Sequence, residues 1–390
     1  MTRTLPQRLL DVLPDAIGGR LRAPRYRYTS AEVPASAPWL DAEVRLYIGP
    51  VNFAGQGTAW ARAAERLPGV AAHASQFRAP GMPVFPADTV VPVNVYRFSR
   101  RWQRREFEAV ARHYTHVLLE AARPLFGPLF DDDPIAEVAA LRERGIQVGL
   151  ISHGSDLRDP DRHGAIDEWS PFADGKWERE PEYRRQAALH RALLRATDAP
   201  LFVSTPELLL DWSPSTLLPL VVEQQRWATD TPVLSGPVPR VVHVPSSAYV
   251  KGTPLIEPTM RALHDEGLVD YRQVTGVPFA EMPALIAGSD IVLEQFRTGT
   301  YSVAAVEALA AGRLVIAHLH DQVRRAVRDA SGLEIPIVSA TPATLESVLR
   351  DIVARPDHYR AIAAQGPTFA AAVHDGSMSA EALSAFLGLA

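Results

Sequence analysis

Along 390 residues, short apolar runs alternate with longer amphipathic stretches, and this alternation constrains the fold more than any other feature. Runs rich in Val, Ile and Leu stand at 44–48, 91–96, 116–119, 147–151 and 201–203. After a gap they return at 241–244, 271–274, 291–293, 314–317 and 335–338. Several are apolar on both faces, as strands of a parallel sheet covered by helices are. Between two of them, Asp133-Pro134 precedes IAEVAALRERG: a cap, a first-turn proline, helical apolar spacing and a closing glycine. The same strand–helix unit repeats in both halves. The pattern predicts an α/β fold of two facing Rossmann-like, doubly wound domains. The length suits two domains, each able to bury a core. Pro214, Pro219, Pro232, Pro237 and Pro239 interrupt the periodicity, so the seam is expected near residue 225. This divides the chain into a basic extension at 1–40, a first domain at 41–225 and a second at 226–373.

Composition narrows the chemistry. The chain has no cysteine, which excludes thiol catalysis, disulfides and zinc sites that need sulfur. A net charge of −5 argues against a nucleic-acid binder. The charge is uneven, with Arg3, Arg8, Arg20, Arg22, Arg25 and Arg27 against only Asp11 and Asp15 at the start. Pro6, Asp11 and Pro14 break any apolar run there, so no secretory signal is expected, and no stretch elsewhere is long and apolar enough to span a membrane. The expected address is cytoplasmic. Leu9, Leu10, Val12 and Leu13 beside the arginines read either as a mobile basic leader or as a weak surface-binding helix.

Several familiar motifs are missing: the phosphate loop ending in Gly-Lys-Ser/Thr, the Gly-x-Ser-x-Gly elbow and His-Glu-x-x-His. Gly55-Gln56-Gly57 opens like a dinucleotide fingerprint, but Trp60 stands where the third glycine belongs. Asp131-Asp132-Asp133 offers a metal–diphosphate pair, yet its place before a helix favours capping.

Four segments follow predicted strands and carry the polar chemistry. The first runs from Gly49 to Thr58, where Asn52, Gly55, Gln56 and Gly57 form a flexible polar loop before a helix expected at 59–67. The second is Ser152-His153-Gly154-Ser155-Asp156-Leu157-Arg158, with an imidazole, a carboxylate and a guanidinium within six residues. The third contains Lys251-Gly252-Thr253 at a helix start; Lys251 is one of only two lysines in the chain. The fourth runs from Asp290 through Glu294, Gly299, Thr300, Tyr301, Ser302 and Val303 to Glu307 and Gly312. Its glycine loop opens a helix whose amides suit an anion, and Glu307 sits among apolar neighbours where an unpartnered carboxylate is costly.

The third and fourth segments resemble the donor half of retaining glycosyltransferases of the GT-B fold, in the large family 4 group. The resemblance rests on Lys251-Gly252, on Asp290 to Phe296, and on Glu307-Ala308-Leu309-Ala310-Ala311-Gly312. His153 to Arg158 is similar to a histidine-glycine segment of that family's acceptor-side domain. The resemblance implies a nucleoside-diphosphate sugar, of UDP or GDP type, in the cleft between domains. Lys251 would bind the diphosphate, Glu307 the ribose, and the amides from Gly299, Thr300, Tyr301, Ser302 and Val303 the phosphates or sugar. Gly55, Gln56 and Gly57 would close over the diphosphate, Val277 would touch the base, and His153 would hydrogen-bond the transferring sugar. Asn52, Asp156 and Arg158 would face the acceptor, a small molecule, glycan or lipid-linked group. No metal and no cofactor is expected, and residues 374–390 would form a helix crossing back to the first domain.

Two departures from the family pattern stand out. Gly299 replaces a glutamate that usually contacts the donor sugar, leaving Glu294 as a substitute; Ser246 replaces an arginine near the lysine, leaving Arg240 or Arg297 to supply charge. A binding-only relative, or an epimerase or phosphorylase of the same architecture, therefore stays open beside glycosyl transfer. On the acceptor side, Arg97, Arg100, Arg101, Arg104 and Arg105 interleave with Phe98, Trp102 and Phe107. That segment suits peripheral contact with an anionic membrane face, or a solvated helix paired with Glu106 and Glu108.

Overall fold

The computed structural model describes residues 13, 15–82 and 85–389. Arg3, Arg8 and the apolar group from Leu9 to Val12 lie outside them.

Among the described residues, twelve strands form two all-parallel sheets. The first contains β1 (Val44–Gly49), β2 (Val70–Arg78), β3 (Thr89–Pro92), β4 (His116–Glu120), β5 (Gln147–Ser152), β6 (Leu201–Val203) and β7 (Thr216–Leu217), ordered 3-2-1-4-5-6-7. The second contains β8 (Arg240–His243), β9 (Asp270–Gln273), β10 (Ile291–Leu293), β11 (Leu314–Ala317) and β12 (Ile337–Ser339), ordered 12-11-10-8-9. Both are doubly wound: the order reverses beside β1 and beside β8, which opens a crevice at the carboxyl ends of the strands. Register is set by in-phase apolar pairs such as Ile48 with Leu118 and Val292 with Val315.

Three differences from the expected elements have local causes. The run at 91–96 is not one strand: β3 ends at Pro92 and a helix occupies Val93–Phe98. Pro92 has no N–H for a ladder and caps the helix, turning Tyr96 into a core with Val91, Val95 and Trp102. β2 has no Val/Ile/Leu run at all; its short Ala72 and Ala74 fit beneath Trp60 and Ala64, so small volume rather than apolar bulk fills the layer. β12 begins at Ile337 because Pro336 cannot donate to the ladder. The first-domain helix also begins earlier than expected, at Gln56, because Gly55 takes the left-handed backbone that starts it.

One apolar cluster runs from β1 and β2 through Leu218, Leu220, Val222 and Trp227 of the connecting segment to Val292, Val306 and Val315. The proline-rich segment is thus core as well as connection. Tyr301 and Phe369 join it, and Phe386 lies edge-on against His116 and Phe202 of the first sheet.

The arginine segment resolves into a helix at Arg100–His113 with Trp102 and Phe107 turned inward. Arg97 pairs with Asp132 at 2.6 Å, and Arg144, not the segment, pairs with Glu108 at 3.0 Å. Glu106 is wholly buried and accepts from Tyr47 Oη and the Ala37 N–H. Asp133 caps the helix Pro134–Glu143 by accepting from the Ile135 N–H. Among the described residues no helix is long and apolar enough to cross a membrane.

Candidate functional site

The carboxyl edges of the two sheets face each other across a cavity of about 1160 Å³. Its lining comes from loops that follow strands: Phe53 after β1, Arg123 after β4, His153 after β5, Ser204 after β6, Ser246 and Lys251 after β8, Val277 after β9 and Ser302 after β10. Gln56, His153, Asp156, Lys251, Val277, Ser302, Val303 and Glu307 of the expected set meet there. A smaller cavity of about 460 Å³ adjoins it, shares Gln56, Phe279, Val303 and Glu307, and adds Gly55 and Arg226.

On the second-domain wall, Lys251 ends the short helix Ala248–Lys251 and its carbonyl accepts from the Phe296 N–H at 3.0 Å. Its ammonium touches the Glu294 carboxylate and donates to Ser302 Oγ at 3.0 Å. Ser302 in turn donates to Glu294 Oε1 at 2.6 Å. An ammonium has three N–H donors, so one remains for the cavity. Ser302 immediately precedes the helix Val303–Ala310, whose first residues Val303 and Ala304 line the same space. Their amides and the positive end of the helix favour an anion beside Lys251.

Glu307 lies just over one turn into that helix. It is buried, makes no side-chain hydrogen bond among the described residues, and opens into both cavities. Burial pushes its carboxyl up to about 8, against the opposing pull of Arg226 and Lys251. A buried carboxyl left without donors is costly, and a ligand with hydroxyls would supply them.

On the first-domain wall, Glu120 organises the site from the end of β4. Its Oε2 accepts from the Val51 and Asn52 N–H groups at 3.0 Å each, and its Oε1 lies 3.0 Å from His153 Nε2. Phe53 and Trp60 flank the imidazole. A Cβ on Gly57 would stand 3.1 Å from Glu120 Oε1, so the glycine lets the carboxylate approach the helix start. Glu120 reads in sequence only as the polar end of a strand; the signal for it was its place at a carboxyl edge.

Other expected residues serve the frame. Asn52 caps the helix Gln56–Ala64 by accepting from the Thr58 N–H at 3.0 Å, and donates to Gln76 and Pro86. Gln56 closes a two-way bond with the Val221 backbone, tying the loop to the connecting segment. Asp156 accepts from the His153 and Gly154 N–H groups at 2.9 Å and lies 3.1 Å from His190. Burial would raise its carboxyl, but the hydrogen bond and charge of His190, with His153, hold it at about 2. Arg158 is buried against Glu207 at 2.5 Å and lies off the cavity.

Gly299, Thr300 and Tyr301 also stand behind the cavity wall. The Thr300 carbonyl accepts from Gln295, and Tyr301 Oη lies 3.2 Å from His374 Nε2 within the core. Gly299 has φ +64°, and a Cβ there would fall 2.1 Å from the His320 ring. Where the family pattern has glutamate, any side chain would have to displace the His320 ring and take a strained backbone. Glu294, the expected substitute, is turned to Lys251 and Ser302. Arg240 is held by Asp290 at 2.9 Å at the start of β8, the edge away from the cavity. Arg297 is buried over the Tyr249 ring beside Ser170.

In a search of solved structures, the chain is similar to sucrose-phosphate synthase from Thermosynechococcus elongatus, with a TM-score of 0.56 and 13% identity over 89% of this chain and 99% of that one. It is similar to WaaG, a glycosyltransferase involved in lipopolysaccharide biosynthesis, with a TM-score of 0.51 and 15% identity over 88% and 100% of the two chains. Anabaena HepE in complex with UDP-glucose gives 0.52 and 10% identity over 88% and 99%. No protein-family model and no curated protein sequence matches. What these neighbours share with this chain is the GT-B fold.

Proposed function

We propose that this GT-B chain transfers a glycosyl group from a nucleoside-diphosphate sugar bound in the 1160 Å³ cavity. The observation that carries the proposal is the meeting of Lys251, Ser302 and the start of helix Val303–Ala310 with the unpartnered Glu307 in one cavity. That set matches a ligand with a diphosphate at one end and vicinal hydroxyls about one helical turn away. Neighbours of the same fold solved with UDP and with UDP-glucose support the uridine class of donor.

In this reading, negative charge builds on the leaving diphosphate as the glycosidic bond breaks. The Lys251 ammonium, held in place by Glu294, and the helix amides stabilise that charge without metal. Ser302 adds a polar contact beside it. Glu307 accepts from the ribose hydroxyls, and Val277 borders the base. His153 meets the transferring sugar, with Glu120 fixing its Nε2 so that the other ring nitrogen is left for a sugar hydroxyl. Transfer proceeds with retention of configuration at the sugar. Residues 41–225 present the acceptor and residues 226–373 the donor.

The test is direct binding and single-turnover transfer with UDP- and GDP-sugars. Affinity for one nucleoside diphosphate, lost in Lys251→Ala, is the expected result; affinity for neither contradicts the reading. The filled space at Gly299 favours one alternative, binding of the donor without transfer, and turnover in the same assay decides between them.

A further inference from the structure

Outside the donor cavity, two histidines and an aspartate from opposite domains converge. β11 ends at Ala317, and His318 and His320 follow. Asp167 comes from the first domain, between the helices Pro160–Gly164 and Glu180–Thr197. Its Oδ1 is occupied by the Trp169 and Ser170 N–H groups at 2.8 and 3.0 Å. Its Oδ2 remains, and both imidazoles direct Nε2 to it, His320 at 2.5 Å and His318 at 3.6 Å. The three ligating atoms lie within 4.8 Å of one another. The imidazole rings stand nearly perpendicular, at 85°.

We propose that Asp167, His318 and His320 bind one divalent transition-metal ion of the zinc type and so tie the two domains together behind the glycine loop. An ion pair alone explains only half of the arrangement. It satisfies His320 but leaves His318 Nε2 beyond hydrogen-bond distance of the carboxylate. His318 is buried, and its Nδ1 has no hydrogen bond of normal geometry, with the Phe296 backbone beside the ring. A metal would engage His318 at Nε2, leaving Nδ1 to carry the proton beside the Phe296 backbone. Zinc takes imidazole nitrogen and carboxylate oxygen at about 2.0–2.2 Å. Tetrahedral ligands at that distance lie about 3.3–3.6 Å apart. The His318–Asp167 separation of 3.6 Å already fits, and His320 needs to recede by less than its ring thickness.

The main chain is built to hold such a site. The His318 N–H donates to the Gln295 carbonyl at 2.9 Å and the His320 N–H to the Gly299 carbonyl at 2.8 Å. His163 is the nearest further imidazole, but its nitrogens face Ser170 and the Thr298 carbonyl. Three protein ligands and an open fourth position result, and partly exposed Asp167 leaves a way in. Two imidazoles and one carboxylate, with no cysteine in the chain to supply a thiolate, select a borderline dication over calcium or magnesium. The site is independent of the glycosyl-transfer reading: it needs neither donor nor acceptor.

The experiment uses the full chain without a histidine tag, stripped by chelator, and titrates Zn²⁺ and Co²⁺ separately by calorimetry. Co²⁺ is also followed by its visible absorption. The expected result is uptake of a single ion per chain, with a cobalt spectrum showing nitrogen ligation. His318→Gln and Asp167→Asn should each weaken binding at least about a hundredfold, since even outer partners of metal ligands cost 10–100-fold. His358→Gln, at an exposed histidine, should change nothing. No uptake by the unsubstituted protein overturns the proposal, as does equal uptake by both variants. Should His318→Gln fail to fold, the loop variant Asp167→Asn and the cobalt spectrum still decide.

Discussion

The two walls of the cleft follow the same plan, strand then polar loop then helix, yet they use their polar groups differently. On the first-domain side, Gln56 and Asp156 line the cavity with Asn52 and Arg158 behind them, and all four turn to partners inside the protein: the Val221 backbone, two loop amides, a helix start and Glu207. On the second-domain wall, Glu307 has no hydrogen-bond partner among the described residues, and Lys251 keeps a donor for the cavity. The first wall is thus largely preformed, with one ring nitrogen of His153 left over, and the second holds most of the unsatisfied capacity that a ligand must complete. The difference teaches where affinity should reside: in the second domain, with the first shaping what approaches it.

The largest expected effect tests the second wall. Lys251→Met strips the buried Glu294 of its cation and should cost about 3–5 kcal/mol of stability, the usual result of breaking a buried pair. Adding Glu294→Gln should restore much of that stability by removing the stranded charge. It should not restore affinity for a nucleoside diphosphate. Denaturant unfolding of the single and double variants, with calorimetry on the double, separates frame from site. Recovery of both together would mean that Lys251 only supports the loop.

Next comes Glu120, the pivot of the first wall. Glu120→Gln removes charged acceptance from two backbone N–H groups and from His153, and should cost roughly 1.5–3 kcal/mol. If the first wall shapes the approach of substrate, turnover should fall while donor affinity holds. Parallel losses in both would erase the contrast between the walls.

Glu307 gives a pH test with a definite sign. Its carboxyl is raised to about 8, so the folded protein holds a proton there that the unfolded chain has released. Without ligand, this contribution to stability is full at about 4.5 and below, and is lost as pH rises through about 8. Ribose hydroxyls donating to the carboxylate would favour its ionised form and expel the proton. Affinity for UDP-glucose, whose own phosphates do not titrate in this range, should then rise with pH, by up to about tenfold per unit, and level off above 8. Glu307→Gln should flatten the profile. A flat profile in the unsubstituted protein would take the ribose away from Glu307.

Much of this was legible because the second domain writes its chemistry as local strings. Lys251-Gly252 and the Ser302-to-Glu307 stretch each hold their geometry within one loop and one helix turn, and β10 and β11 lie where their apolar runs stand. The first domain hides its chemistry in long-range contacts. Glu120 meets Asn52 from 68 positions away, and His320 meets Asp167 from 153. No spacing rule couples such pairs; only the sheet order does. The same reason explains β2, whose alanines are legible as a strand only once Trp60 is known to lie over them. Arg158 and Asn52 carried the right residue types for a ligand, but their side chains are taken up by Glu207 and by a helix start.

The smallest effect is the sharpest test of the preformed wall. A methyl on Gly57 would sit 3.1 and 3.2 Å from the two Glu120 oxygens and 3.3 Å from Asn52 Oδ1, so three acceptors must shift by a few tenths of an ångström. The backbone there is helical, so Gly57→Ala brings no strain of its own and gains helix propensity. Overpacking should outweigh that gain and leave a net loss of about 1 kcal/mol, read as a lower unfolding midpoint. Because Glu120 holds His153, the same small displacement should lower turnover more than it lowers donor affinity. A stabilised variant with unchanged turnover would show that the first wall gives way freely. The approach of substrate would then have to be shaped elsewhere, by Arg123 or Ser204 along the same cavity.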